Sequence, residues 1–164
     1  MLLITCFIFG LLGSFTRAVC PDGWTVCLSG TFAYKDGRQW NCYKFYEDRL
    51  TFEEAEQECQ NKSKGHLASF NSDKEAKLIG AYVTEENMEK DFVWIGLQRD
   101  EGSSMSTGWR WVDGSQSRYR NWRTREPNGY DEYCVGLRPL SEHVKWVDLR
   151  CINKLPFLCK WTPA

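Results

Sequence analysis

The chain has almost no excess charge and few histidines. Its formal net charge is −1 over 164 residues, so no overall field favours nucleic acid or an anionic membrane surface as a partner. Its two histidines, His66 and His143, do not lie in a His-Glu-x-x-His metal-binding spacing. A Gly-x-Ser-x-Gly turn and a phosphate-binding glycine loop are also missing. We therefore predict that the protein is not an enzyme and that His66 is a structural side chain in a strand.

Long apolar runs are scarce as well. One run, at residues 1–13, is too short to span a bilayer. Small and polar residues follow it up to Ala18, so residues 1–18 are predicted to be a cleaved secretory signal. An uncleaved membrane anchor is the alternative. Since no other stretch approaches membrane length, we expect the mature protein to be soluble, secreted and extracellular.

Cysteine, in contrast, is abundant. The chain has eight cysteines, and Cys6 lies in the predicted signal, so seven remain in the mature protein. An oxidising compartment favours disulfides, and an odd number predicts three bridges and one spare thiol. The spare thiol would either form an intermolecular disulfide, giving a linked dimer, or be buried and inert.

Two segments carry the signals of helix starts. Thr51–Glu54 reads as a capping box, and apolar residues at helical spacing follow it as far as Cys59. Ser72–Glu75 reads as a second capping box. It is followed by an apolar stripe at Ala76, Ile79 and Val83. Two helices are therefore predicted.

Beyond residue 90 the pattern changes to short strands. Phe92–Leu97 is an apolar run typical of a buried strand. Trp109 and Trp111 precede a turn signal, and a polar loop then continues to Asn128. A loop this long in a compact domain is usually functional or disordered. Further strands are predicted around Cys134–Val135, Val144–Val147 and Phe157–Cys159. Helices first and strands afterwards indicate an α+β domain, in which Trp94 and Trp146 belong to the core.

Four oxygen-bearing side chains are gathered near one proline turn: Glu126, Asn128, Glu132 and Asp148. Hard oxygens of this kind suit Ca²⁺, which takes six to eight oxygen ligands. An apolar residue, Val147, lies beside Asp148, where another oxygen would be useful. These residues predict a calcium site at which a bound ion could hold the hydroxyls of a ligand.

A sequon, Asn61-Lys62-Ser63, follows the first predicted helix. In a secreted chain it predicts N-glycosylation at Asn61.

Together these landmarks resemble the C-type lectin-like domain family. The resemblance rests on Cys20–Trp24, Trp94–Leu97, Glu126–Asn128, the Trp146-x-Asp148 element, and the cysteines Cys59, Cys134, Cys151 and Cys159. The segments at 144–146 and 155–160 look most like small secreted members, such as regenerating-islet proteins and snake-venom lectins. The resemblance implies two helices, short antiparallel sheets and a long ligand loop. It places an N-terminal hairpin or extension at residues 20–42 and the C-type lectin-like domain at residues 43–164.

The resemblance also implies disulfides that staple the domain: Cys59–Cys159, Cys134–Cys151 and, as in long-form members, Cys20–Cys42. This chain has an extra cysteine, Cys27, between the last two. Cys27 is then the candidate for an intermolecular disulfide. A Cys20–Cys27 bridge with a free Cys42 is the alternative.

For the ligand site, the resemblance implies specific roles. In calcium-dependent members, a Glu-Pro-Asn tripeptide with a cis proline supplies oxygens that touch both metal and sugar. Carried over, the metal ligands are Glu126, Asn128, Glu132 and Asp148, and the first three also contact carbohydrate. Val147 occupies a position that is Asn in those members, so both metal and sugar lose a partner. The tripeptide implies mannose-type ligands with equatorial vicinal hydroxyls, on a carbohydrate or glycoprotein. A relic loop whose carboxylates face water is the alternative.

A calcium-independent module that binds a protein or an anionic glycan through the long loop and its arginines is the competing hypothesis. Four arginines lie in the long loop beside Tyr119 and Trp122: Arg118, Arg120, Arg123 and Arg125. Guanidinium groups next to aromatic rings can bind sulfate, phosphate or an acidic protein surface. The alternative is an ordinary solvated loop face.

Overall fold

The computed structural model describes residues 17–19, 25–28 and 30–163. Its elements, in chain order, are β1 (Arg17–Val19), β2 (Thr25–Leu28), β3 (Phe32–Asp36), β4 (Gln39–Leu50), α1 (Phe52–Ser63), β5 (His66–Leu67), α2 (Asp73–Glu86), β6 (Val93–Arg99), β7 (Trp109–Trp111), β8 (Cys134–Leu137), a 3-10 turn (Pro139–Ser141), β9 (Trp146–Leu149) and β10 (Leu155–Trp161). No helix in the described ranges has the length and apolar character needed to cross a bilayer.

Eight strands form one mixed sheet, and β1 and β2 form a separate antiparallel pair. The order in the large sheet is β3-β4-β10-β6-β8-β9, with β5 added to β10 and β7 added to β6. Only the β10–β6 pair is parallel among these neighbours, and it places Phe157 opposite Trp94. Two helices packed on a largely antiparallel sheet confirm the predicted α+β class.

An antiparallel hairpin, β3–β4, enters this sheet. Asp36 lies opposite Gln39, so two residues make the turn, and Gly37 takes a positive φ of 58° that glycine adopts without steric cost. Strand β4 continues past residue 42 as far as Leu50. The domain division between residues 42 and 43 stays a prediction.

Helix α1 starts at the predicted capping box. The backbone N–H of Glu54 donates to Thr51 Oγ1 at 3.4 Å, and Thr51 N–H donates to Glu54 Oε2 at 2.9 Å. The helix ends at Ser63, and the capping residue Lys64 has a φ of 53° and an N–H that bonds back to the carbonyls of Cys59 and Gln60. Since Phe52 and Cys59 are buried, the helix places Cys59 against the sheet as predicted.

Helix α2 has only half of its predicted capping box. Ser72 Oγ accepts from Glu75 N–H at 3.2 Å, but the Glu75 carboxylate does not return to Ser72. It is fully buried, where it accepts from Asn71 N–H at 2.6 Å and from the Tyr43 hydroxyl, and lies 3.4 Å from Lys160 Nζ. These three partners hold the carboxylate inside the domain, so the sequence signal was right for the start of the helix and wrong for the second bond.

Three disulfides staple the described chain. Cys59–Cys159 and Cys134–Cys151 are present as the resemblance implied. The third bridge joins Cys27 to Cys42, with a Cα–Cα separation of 5.7 Å. The expected Cys20–Cys42 bridge, the alternative with a free Cys42, and the intermolecular role of Cys27 are therefore wrong. Strand β2 supplies Cys27 at bonding distance from β4, whereas Cys20 lies outside the described residues.

Tryptophans fill the core, as predicted for Trp94 and Trp146, both of which are completely buried. The indole N–H of Trp94 donates to the Leu50 carbonyl at 3.0 Å. Trp146 is surrounded edge-on by Trp111, Tyr119 and Trp122, with ring centroids 5.6 to 6.0 Å away. Since Tyr119 and Trp122 belong to the long loop, packing on Trp146 fixes that loop to the core.

The histidine prediction also holds. His66 lies in β5, and its Nδ1 contacts Glu56 Oε1 at 2.5 Å. Glu56 also accepts from Leu67 N–H at 2.8 Å. The Glu56 side chain thus links α1 to β5.

Candidate functional site

The long connection between β7 and β8 is irregular but anchored. Trp122 forms an isolated bridge with Trp146 at the start of β9. The Trp146 N–H donates to the Asn121 carbonyl at 3.0 Å, and Arg123 N–H donates to the Trp146 carbonyl at 2.9 Å. These bonds run the loop alongside β9, so that the Glu-Pro-Asn turn lies beside Asp148.

Asp148, on the neighbouring strand, binds the backbone of the turn. It lies in β9 opposite Val135 and is only 3% exposed. Its carboxylate accepts from Asn128 N–H at 3.1 Å and from Gly129 N–H at 2.8 Å. Charged acceptors make such bonds strong, so Asp148 holds the backbone of the turn. The Glu126–Pro127 peptide is cis, as the resemblance implied.

Glu126 and Asn128 flank the proline and touch each other. Asn128 Nδ2 donates to Glu126 Oε2 at 2.7 Å, and Arg123 lies 3.5 Å from the same carboxylate, whose side chain is 8% exposed. Burial raises the pKa of Glu126 to about 7, aided by a hydrogen bond to Asp148 and by that group's negative charge, and opposed by Arg123. Glu126 therefore lies close to the negative charges of Asp148 and Glu132.

Glu132 contacts the same turn at Gly129. A Cβ built on Gly129 would lie 1.9 Å from Glu132 Oε2, so the carboxylate rests directly on that glycine. Burial, then the charges of Asp148 and Asp131, raise the pKa of Glu132, with Arg150 opposing. All four predicted ligands therefore lie around the same turn.

The fifth predicted position offers no oxygen. Val147 is 6% exposed and lies opposite Gly136 in the β9–β8 ladder. In the described ranges, no three His, Cys, Asp or Glu side chains are arranged so that they could hold a metal ion. Instead, Asp148 binds backbone N–H groups and Asn128 binds Glu126. The donor set is made of oxygens and fits Ca²⁺ in kind, but a cation would have to displace some of these internal bonds.

Arg99, at the end of β6, is a residue that sequence reasoning missed. It is 5% exposed, and its guanidinium donates to the Gly129 carbonyl at 2.9 Å and to the Ser103 carbonyl at 3.3 Å. The same group lies over the Tyr133 ring at 4.5 Å. Arg99 thus bonds the loop after the Glu-Pro-Asn turn to the end of β6. No local motif predicts the contact between Arg99 and Gly129, because the two residues are 30 positions apart in the sequence.

The loop presents one large aromatic side chain to solvent. Tyr130, two residues after Asn128, is 87% exposed, and its carbonyl lies 3.4 Å from Arg99 Nη2. The Tyr130 side chain is therefore exposed, while Arg99 holds the backbone beside it.

The arginine stretch does not act as one basic surface. Arg120 donates to the carbonyls of Ser117, Tyr119 and Trp109, so it is a structural side chain. Arg123 faces Glu126. Arg118 and Arg125 are exposed.

Asn61 lies in the last turn of α1, not after it. It is exposed, and glycosylation there stays a prediction.

A disulfide-stapled α+β domain, with a long loop held on one strand beside clustered carboxylate and amide side chains, is the architecture of a lectin-type domain. The chain belongs to the C-type lectin family: the family model described as "Lectin C-type domain" matches residues 48–161. This confirms the predicted resemblance.

Two snake relatives match nearly the whole chain. One component of snaclec salmorin, from Gloydius brevicauda, is 35% identical over 93% of this chain and 94% of that protein. One component of the snaclec named coagulation factor IX/factor X-binding protein, from Trimeresurus stejnegeri, is 36% identical over 94% and 97% respectively. Among solved structures, human lithostathine superposes with a TM-score of 0.75 at 33% identity, covering 84% of this chain and 100% of that one.

Proposed function

We propose that the chain is a secreted lectin that binds carbohydrate through a Ca²⁺ ion held by Glu126, Asn128, Glu132 and Asp148. The observation that supports this most is the gathering of three carboxylates at one turn, opposed by the guanidinium of Arg123 at Glu126 and by that of Arg150 at Glu132. Like charges this close disfavour one another unless protons or a cation neutralise them. A divalent ion that prefers oxygen ligands suits this set. The disulfides support secretion.

Glu126 and Asn128 would hold the sugar. A bound ion would supply open positions for two neighbouring hydroxyls. Beside it, the Glu126 carboxylate accepts from a hydroxyl and the Asn128 amide donates to one. These two groups already bond to each other at 2.7 Å, so a hydroxyl placed between them replaces a hydrogen bond and leaves neither group unpaired. The Glu-Pro-Asn order supports mannose-type ligands.

Chelation on immobilised mannose tests this proposal. The protein is expected to be retained with Ca²⁺ and released when a chelator is added. Glu126→Gln should abolish retention, because it removes a charged ligand of the ion. The matched control is Glu85→Gln, which makes the same change at an exposed position of α2 and should behave as wild type. Retention that ignores the chelator would refute the calcium mechanism.

A second candidate function is calcium-independent protein binding. It is favoured by the two backbone bonds to Asp148, which close the loop without a cation, and by Val147. The Trimeresurus relative described above carries the name of a factor IX/factor X-binding protein, which supports a protein ligand. In this case exposed Tyr130, together with Arg118 and Arg125, would meet the partner. Binding would then persist in chelator and weaken as ionic strength rises.

A further inference from the structure

Asn128 and Gly129 form the only Asn-Gly pair in the sequence. Glycine has no side chain, so its backbone nitrogen can approach the carbonyl carbon of the preceding asparagine side chain unhindered. Asn128 is also exposed, so water reaches it. The pair is thus chemically suited to deamidation, a covalent change that alters charge.

The position of the Glu132 side chain requires this glycine. Any Cβ at position 129 would lie 1.9 Å from Glu132 Oε2 and 2.4 Å from its Cδ. A larger residue, which would slow the reaction, would therefore displace Glu132. The packing of a predicted ligand keeps the labile pair in place.

Hydrogen bonds oppose the reaction in the folded protein. The backbone N–H groups of Asn128 and Gly129 donate to the Asp148 carboxylate at 3.1 and 2.8 Å, and we call this pair of contacts the Asp148 latch. The Asn128 amide is held separately by Glu126. With the latch closed, the Gly129 N–H is directed at Asp148 and not at the Asn128 side chain. Because Asp148 is 3% exposed, water competes poorly for these bonds.

We propose that Asn128 is a deamidation site whose rate is set by opening of the Asp148 latch. In the open loop, the Gly129 nitrogen attacks Asn128 Cγ. A new N–Cγ bond forms, the Cγ–Nδ2 bond breaks, and the amide leaves as ammonia with the proton from Gly129. Water then hydrolyses the cyclic imide at either carbonyl, giving aspartate or isoaspartate. The reaction needs neither a cation nor a carbohydrate.

The product alters the site irreversibly. Asn128 loses its donor to Glu126 and gains a negative charge beside Glu126 and Asp148, so attraction becomes repulsion. Where the proposed function holds, deamidated molecules also lose the amide that would contact sugar. The latch would then determine how long each molecule keeps its ligand site.

Peptide mass spectrometry tests the proposal. All samples contain a chelator, so that bound Ca²⁺ does not affect the loop and only the Asp148 latch differs between them. Deamidation at Asn128 is followed in the folded protein, in reduced and denatured protein, and in folded Asp148→Ala. Folded wild type is expected to react at least about tenfold more slowly than denatured protein, because reaction requires local opening. Asp148→Ala should recover most of the difference. Exposed Asn71, followed by Ser72, is the internal control and should react equally in both folded proteins.

Two results would overturn the inference. One is equal rates at Asn128 in folded and denatured wild type. The other is an Asp148→Ala variant that keeps its near-ultraviolet circular dichroism and three disulfides yet reacts no faster. If that variant does not fold, amide hydrogen exchange of Gly129 in wild type replaces it. Exchange and deamidation should then rise together with added urea, and independence of the two rates would contradict control by the latch.

Discussion

Val147 sets how much of the proposed calcium shell the protein itself supplies. It is next to Asp148 in β9 and nearly buried, and it contributes no oxygen where the calcium-dependent pattern has an amide. Ca²⁺ at this site would take four protein side chains and fill its remaining positions with water or ligand. The wild-type site is therefore expected to be weak.

Val147→Asn should tighten calcium binding and, through the added amide, sugar binding. Without calcium the buried amide has no assigned partner, so the variant should lose about 1–3 kcal/mol of stability and regain it when calcium is added. Calcium titrations and thermal unfolding with and without chelator measure both effects. Leu140→Asn, at an 81% exposed position, is the control. Unchanged calcium affinity in Val147→Asn would show that the site is not organised as proposed.

His143 gives a pH prediction at a distance from the ligand loop. It is 2% exposed, with Nδ1 2.9 Å from Thr84 Oγ1 and Nε2 3.0 Å from the Asp91 carbonyl. Burial lowers its pKa, although the Asp91 bond opposes this. As pH falls through the usual histidine range, the unfolded chain takes up a proton that the folded chain resists, so stability falls.

His143→Asn should flatten this dependence. Asparagine tolerates the positive φ of 55° at this position, so the fold is expected to survive with lower stability at pH 7. Urea unfolding midpoints at pH 7 and pH 5 provide the comparison. If wild type and variant lose the same stability on acidification, another group is responsible.

At the level of elements, local signals predicted where helices begin but not what distant side chains do. Thr51–Glu54 and Ser72 marked both helix starts, because capping bonds are made within one turn. The buried Glu75 carboxylate instead contacts Tyr43, 32 residues away, and Lys160, 85 residues away. Likewise, Arg120 reads as an exposed loop arginine until its carbonyl partners are known. Long-range contacts decide these cases, and single-sequence patterns do not contain them.

Arg99 links two loops at the end of β6. Arg99→Ala would leave the carbonyls of Gly129 and Ser103 without their donor, and should cost about 2 kcal/mol. That corresponds to a fall in Tm of roughly 4–8 °C for a chain of this size. Ligand retention should fall as well, because the loop is less well positioned. Arg110→Ala, which removes an exposed pair with Asp100, should leave Tm within about 2 °C. Equal effects of the two substitutions would contradict a supporting role for Arg99.

At the level of the whole molecule, the family pattern supplied two disulfides and the fold, but not the third bridge. Cys20, Cys27 and Cys42 allow several pairings on sequence spacing alone. The pairing depends on strand β2, which pairs with β1 and brings Cys27 beside Cys42. The four residues around the turn could likewise be predicted from the sequence, because they belong to recognisable motifs. The bonds from backbone N–H groups to Asp148 could not be predicted.

Peptide mapping under non-reducing conditions should recover Cys27 linked to Cys42. Cys20→Ser should leave that bridge and the Tm unchanged. Cys27→Ser with Cys42→Ser should lower stability by about 3 kcal/mol, the entropic value for a loop with a sequence separation of 15. A Cys20–Cys42 peptide from wild type would contradict the pairing.

Calorimetric titration of the folded protein with Ca²⁺ at neutral pH tests the central claim most directly. The account predicts a saturable heat that disappears in Glu126→Gln and persists in Glu85→Gln. No heat from wild type with its three disulfides intact would contradict calcium binding at Asp148 and leave the calcium-independent function in its place.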